Sequence, residues 1–147
     1  MKIAVGSDHA GYEGPPPLYK PAMIEHLRAL GHEVIDCGTN GTDSVDYPDF
    51  ADAVCRKILD GEAERGVLIC GTGMGISMAA NRHTGIRAAV VVTAEMAELS
   101  RSHNDANVIC LGRRTNTLET CLQLTDIWLN TAFSGGERHV RRIHKMG

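Results

Sequence analysis

The sequence predicts an α/β protein: a doubly wound, five-stranded parallel sheet of Rossmann-like character, with helices on both faces and one extra C-terminal helix. Three observations carry that expectation. Strand-like and helix-like patterns alternate from end to end of the 147 residues. The apolar run Gly66–Cys70 is bounded by glycines, as suits a central parallel strand covered on both faces. No linker or repeat interrupts the alternation, so one domain over 1–147 is expected. Right-handed crossovers and the strand order 2-1-3-4-5 would make the loops after strands one and three neighbours at the topological switch point.

Taken in order, Lys2–Gly6 reads as the first strand, Leu18–Leu30 as a helix stopped by Gly31, and Glu33–Cys37 as the second strand. Gly14-Pro15-Pro16-Pro17 must precede that helix. Pro21 either fits its first turn or kinks it, because proline lacks the N–H and clashes one turn back. Pro48 opens a second helix in which Phe50, Val54 and Ile58 share a face, and Gly61 follows its end. After the strand Gly66–Cys70, a helix begins within Ile76–Asn81. The strand Ile86–Val92, the helix Ala94–Ser102, the strand Val108–Leu111 and the helix Leu118–Asn130 follow, and Gly135-Gly136 introduces a basic helix over Glu137–Lys145.

Composition narrows the function classes. Apolar residues make up 43% and charged ones 22% of the chain, as in folded globular proteins, and 15 Lys+Arg against 18 Asp+Glu give a net charge of −3. No apolar run approaches the ~18 residues of a membrane span, and Asp8 and His9 arrive before any signal-peptide core could form. A pI near 6.1 and few aromatic residues argue against nucleic acid as a partner. The five cysteines lack a C-x-x-C pair, which fits a reducing cytoplasm better than a disulfide framework or a zinc ribbon. No metal site and no cofactor are expected.

Chemistry concentrates in two loops: Ser7-Asp8-His9 after the first strand and Cys70-Gly71-Thr72-Gly73-Met74-Gly75 after the third. The glycines let the backbone turn and expose successive N–H groups, which suits an anion. A ligand-free strand-to-helix turn is the plain alternative. The spacing is not the dinucleotide fingerprint, since position 76 is Ile76, and no Lys-Ser or Lys-Thr follows to make a phosphate-binding P-loop. Cys70 closes a buried strand facing those amides and is a candidate base. Cys37, Cys55, Cys110 and Cys121 read as small core residues. His103, in the polar stretch Ser102–Asn107, is either an acid/base or a structural loop histidine. Asp8-His9 is either part of a site or an Asx-type turn. Arg138 and Arg142 lie four apart on the last helix, either as an anion clamp or as a solvated face.

The blocks GSDHAGYE, DSVDYPDFA, VLICGTGMGISMAANR, GIRAA, LSRSHNDANVICLGRR and GGERHVRR, in this order over essentially the whole chain, resemble the ribose-5-phosphate isomerase type B family, which sits with the galactose-6-phosphate isomerase subunits. The resemblance implies a metal-free aldose–ketose isomerase working through a cis-enediolate. Cys70 matches the family's base, and Thr72 the hydroxyl that assists proton movement between O1 and O2. The amides of Gly71, Gly73 and Gly75 match the anion hole. His103 and Asp8 match the ring-opening pair. His9, Arg138, Arg142 and Arg114 match phosphate ligands, while Tyr47 and Asn104 match other substrate contacts. It further implies a homodimer or tetramer with a sugar-phosphate site shared between subunits, His103 and the arginines coming from the partner.

The chain departs from the family at Gly14–Pro21, which is longer and richer in proline, and at Thr93–Met96, which lacks a proline-aromatic segment. Ribose 5-phosphate, a hexose 6-phosphate and a rare sugar stay open as substrates, since pocket contacts decide among them. So does a non-catalytic binding subunit, although Cys70, Thr72 and His103 together weigh against it. A nucleotide-binding domain would need an acidic ribose contact where the chain has Val90, Val91 and Val92.

Overall fold

A computed structural model describes residues 1–147. Five parallel strands form one sheet: β1 (Lys2–Ser7), β2 (Glu33–Asp36), β3 (Arg65–Cys70), β4 (Ala88–Val90) and β5 (Val108–Gly112). Six helices accompany them: α1 (Tyr19–Ala29), α2 (Tyr47–Leu59), α3 (Met74–Ala80), α4 (Ala94–Ser102), α5 (Leu118–Asn130) and α6 (Glu137–Met146). A single turn of 3-10 helix, His9–Tyr12, follows β1.

The period-2 pleat of the central strands divides the core into two layers. Ile3, Val5, Val67, Ile69, Ile109 and Leu111 face one side, where α1, α4 and α5 contribute Met23, Leu27, Ala97, Leu124 and Trp128. Ala4, Leu68, Cys70, Val108 and Cys110 face the other, against Ala51 and Val54 of α2 and Ile76 and Ala80 of α3. Each large apolar side chain so buried contributes ~1.5–3 kcal/mol. Gly66 is glycine because α2 lies hard on the sheet: a Cβ there would sit 2.5 Å from Val54 Cγ1.

The strand order is 2-1-3-5-4, not the expected 2-1-3-4-5. β5 is buried along its whole length and takes the place beside β3, with Gly66 opposite Val108 and Cys70 opposite Gly112. β4 spans only three half-buried residues, shorter than the expected Ile86–Val92, and pairs with β5 alone at the edge. Both runs are short and apolar, so periodicity does not say which is central. The consequence drawn for the site survives, because β1 and β3 are adjacent in either order. Pro21 occupies the first turn of α1, one residue ahead of Ala22, whose N–H makes the bond to Leu18 O at 3.0 Å, so the helix runs unkinked. α3 begins at Met74, two residues earlier than expected, directly out of the glycine loop.

Candidate active site

At the carboxyl edge of the sheet the loops after β1 and β3 meet, tied by the Asp8 N–H donating to Ile69 O at 3.2 Å. Cys70 is buried, its Sγ accepting a hydrogen bond from the Gly73 N–H at 3.2 Å. A donor aimed at sulfur stabilises negative charge there. Gly73 holds a left-handed conformation at φ 81°, which turns the chain sharply enough to return its amide to Cys70. Thr72 Oγ1 accepts from the Met74 N–H at 3.3 Å, leaving its own O–H to donate elsewhere. The N–H groups of Gly71, Thr72 and Gly75 donate to no protein acceptor. The loop thus presents three unpartnered amides within five residues of a hydrogen-bonded sulfur.

Side chains crowd this loop. Tyr47, at the start of α2, lays its ring against Gly75, where a Cβ would come within 2.7 Å of Tyr47 Cζ. The Arg114 guanidinium lies over Gly71, its Nη1 3.1 Å from where a Cβ would be. Asp8 is buried and does form the Asx turn, its Oδ1 accepting from the Ala10 N–H at 2.9 Å. His9 Nδ1 accepts from the Val45 N–H at 3.2 Å, which puts the ring proton on Nε2, free to donate. Asp8, His9, Tyr47, Cys70, Gly71, Thr72, Gly73, Gly75 and Arg114 therefore share one edge.

His103, Asn104, Arg138 and Arg142 do not join them. His103 caps the C-terminal end of α4, and the Asn107 O a few residues on accepts from the Gly66 N–H at 2.9 Å, at the start of β3. The length of β3, about 20 Å at the usual rise per residue, separates this amino edge from Cys70. Here the His103 and His139 rings stack at 4.2 Å and 17°. They line a recess of about 410 Å³ with Arg138 and Glu137. Asn104 lines a neighbouring cavity of about 470 Å³ with Arg82, His83 and Arg87. Burial first, then His103, Arg138 and Arg142, push the His139 ring below the ordinary histidine value. One chain thus keeps Asp8 and His103 apart, as it does His9 and the two tail arginines.

No backbone N–H donates to the sulfur of any cysteine other than Cys70. Burial pushes the Cys55 thiol up to about 12 and Cys121 to about 11, and Cys110 well above the ordinary value. Cys37 is only half-buried, not a full core residue, and is raised by burial as well. Two residues at these edges were not singled out by sequence: His139, although its tail was, and Glu13. The Glu13 carboxylate pairs with Arg114. The two stand 101 positions apart, so no local spacing signals their meeting.

Residues 3–146 match the family model described as Ribose/Galactose Isomerase. The chain is 44% identical over 142 residues to ribose-5-phosphate isomerase B of Escherichia coli K12, covering 97% of this chain and 91% of that protein. It is 45% identical to a putative sugar phosphate isomerase of Rickettsia bellii, covering 96% and 94%. Among solved structures, ribose-5-phosphate isomerase B of Clostridium thermocellum superposes with a TM-score of 0.94 at 50% identity, covering 100% of this chain and 95% of that one. The Thermotoga maritima enzyme superposes at 0.92 with 48% identity, covering 99% and 96%. Fold, loop and relatives together define an aldose–ketose isomerase. The chain belongs to the ribose/galactose isomerase family and is grouped by these relatives with its type B ribose-5-phosphate isomerases.

Proposed function

We propose that the protein interconverts ribose 5-phosphate and ribulose 5-phosphate with Cys70 as the base, in a site completed by a second copy of the chain. The observation that carries the reading is the Gly73 N–H on Cys70 Sγ in a loop whose neighbouring amides are unpartnered. Cys70 removes the C2 proton of the open-chain aldose and returns a proton to C1. The electron pair of the broken C–H bond becomes the C1–C2 double bond, and negative charge develops on O1. Thr72 passes the hydroxyl proton from O2 to O1. The amides of Gly71, Thr72 and Gly75 stabilise the enediolate, where one such donor contributes ~3 kcal/mol, while the Gly73 amide stays on the Cys70 sulfur. Asp8 of one chain and His103 of the other open the furanose ring. His9, Arg114, Arg138 and Arg142 hold the phosphate, with Tyr47 and Asn104 contacting the sugar. No step needs a cofactor.

The distance between the two edges supports the shared site, since neither edge alone carries both base and ring-opening pair. Met74 and Met78 stand exposed one turn apart on α3, beside the glycine loop, as an apolar strip that a second copy can cover. The test is to incubate the protein with ribose 5-phosphate in D₂O and follow conversion and deuterium incorporation by NMR, beside Cys70→Ala. Conversion that falls by about 10²- to 10⁴-fold in the variant supports the base assignment. Conversion unchanged in the variant removes Cys70 from that role, and an inactive native protein turns the search to hexose 6-phosphates.

A further inference from the structure

Glu13 has no part in the scheme above, yet it stands where two successive arginines at the end of β5 converge. Arg114 approaches it as a fork: Nε donates to Oε2 at 3.1 Å, and Nη2 pairs with Oε1. Bidentate pairing of this kind fixes the plane of the guanidinium as well as its position. The third nitrogen, Nη1, is left over Gly71, 3.1 Å from where a Cβ would stand. Arg113 holds the same residue from behind, its Nε donating to Glu13 O at 3.4 Å and its guanidinium resting on the Tyr19 ring at 4.7 Å. Arg113 also covers Gly14, whose φ of 79° begins the proline-rich segment.

We propose that Glu13 is a positioning residue for the anion end of the site: its carboxylate clamps two nitrogens of Arg114 and so holds the third over Gly71, at the start of the glycine loop. This rests on reading that edge as the sugar-phosphate site. Stability does not account for the pair, because the Arg114 side chain is 58% and the Glu13 side chain 31% exposed, and exposed ion pairs stabilise little. The surroundings account for it better. Arg114 lies over Gly71, the residue that follows Cys70, and Arg113 holds Glu13 from behind, so the clamp stands among the groups that handle substrate. A long side chain left free there would sample many rotamers and lose that freedom on binding. Clamped, it meets the anion already oriented, and Glu13 balances its charge when the site is empty. Three consecutive prolines, Pro15–Pro17, follow Gly14 and stiffen the chain on which the clamp stands.

The test compares Glu13→Gln, Glu13→Asp and Arg114→Lys with the native protein, reading kcat and KM for ribose 5-phosphate, inhibition by inorganic phosphate, and the melting temperature. Orientation of a group that binds ground and transition states alike appears in KM. Glu13→Gln is therefore expected to raise KM and the phosphate inhibition constant together by about tenfold, with kcat within about threefold and melting unchanged. Glu13→Asp recovers part of the loss. Arg114→Lys keeps the charge without the fork and loses as much as Glu13→Gln, and the double variant loses little more than either. Unchanged or tighter phosphate binding in Glu13→Gln overturns the proposal, as does a loss confined to kcat. Should the native protein leave ribose 5-phosphate untouched while inorganic phosphate still raises its melting temperature, and Glu13→Gln abolish that rise, the substrate reading fails and the clamp stands. Equal protection of native and variant defeats the clamp alone, and no protection of either defeats both.

Discussion

At the carboxyl edge of the sheet the chemical groups hang on backbone: Cys70 ends a central strand, its sulfur meets the Gly73 amide, and Asp8 and His9 are each tied by a main-chain N–H. At the amino edge they hang on side chains. His103 is held by the His139 ring stacked on it, and Arg138 and Arg142 stand exposed on α6. A group fixed by the backbone of a buried strand has its geometry set by the fold of one chain, which is what the stabilisation of a developing charge requires. A cluster of exposed cations beside an open recess has its geometry set by whatever it meets. The contrast teaches that the groups of the carboxyl edge are preorganised within one chain, whereas the tail arginines are not.

The sharpest way to break this comparison is to disable each edge in a different chain. Cys70→Ala and His103→Ala are each expected to lose about 10²- to 10⁴-fold in turnover. Mixed, dissociated and reassembled, they should regain up to about a quarter of native activity, because half of the random dimers are mixed and one of the two sites in each is intact. No recovery, with mixed dimers present by native mass spectrometry, would mean that each chain builds its own site. A smaller effect tests the grip alone. Arg138→Ala and Arg142→Ala each remove a charged contact of ~1.5–3 kcal/mol, so KM for a phosphorylated sugar should rise about tenfold to a hundredfold with kcat little changed. Steady-state kinetics on both variants check this, and a loss confined to kcat would move these residues out of the phosphate-holding role.

The same contrast explains what could be read before the structure. The carboxyl edge was legible because doubly wound sheets place ligands there, and both of its loops carry polar residues directly after apolar strands. Even the error in strand order left it intact, since β1 and β3 touch in either arrangement. Edge and centre are not separable in the sequence because Ile86–Val92 and Val108–Leu111 are both short and mainly apolar, and pairing across the whole sheet decides between them. No local pattern ties His103 to Cys70; only family resemblance linked them, and the fold of a single chain sets them a strand length apart. Glu13 stayed hidden because its partner arrives from 101 positions away. Pro21 was ambiguous until the start of α1 at Tyr19 put it inside the first turn, where a missing N–H is harmless.

The smallest effect concerns acid, and its sign separates the edges. His139 is held below its ordinary value of 6.5 by burial and by His103 from α4 and Arg138 and Arg142 from α6, with Glu137 beside it in the recess. Below pH 6.5 the unfolded chain therefore binds a proton at this residue that the folded chain refuses, so stability is complete above that pH and declines as pH falls toward the lowered value. Glu13 runs in a lower window. The hydrogen bond from Arg114 holds it below 4.5, so its contribution is present above that pH and is lost as acid reaches the depressed value. Acid should accordingly loosen the amino edge first. Melting temperature should begin to fall near pH 6.5, and His139→Gln should reduce that slope, the remainder belonging to His32, which burial also holds below 6.5, while leaving the part below pH 4.5 unchanged. Inorganic phosphate between the tail arginines would offset their charge and raise the His139 value, so the upper slope should shrink when phosphate is added. An upper slope indifferent to both His139→Gln and phosphate would separate the stacked histidines from the anion-gripping edge.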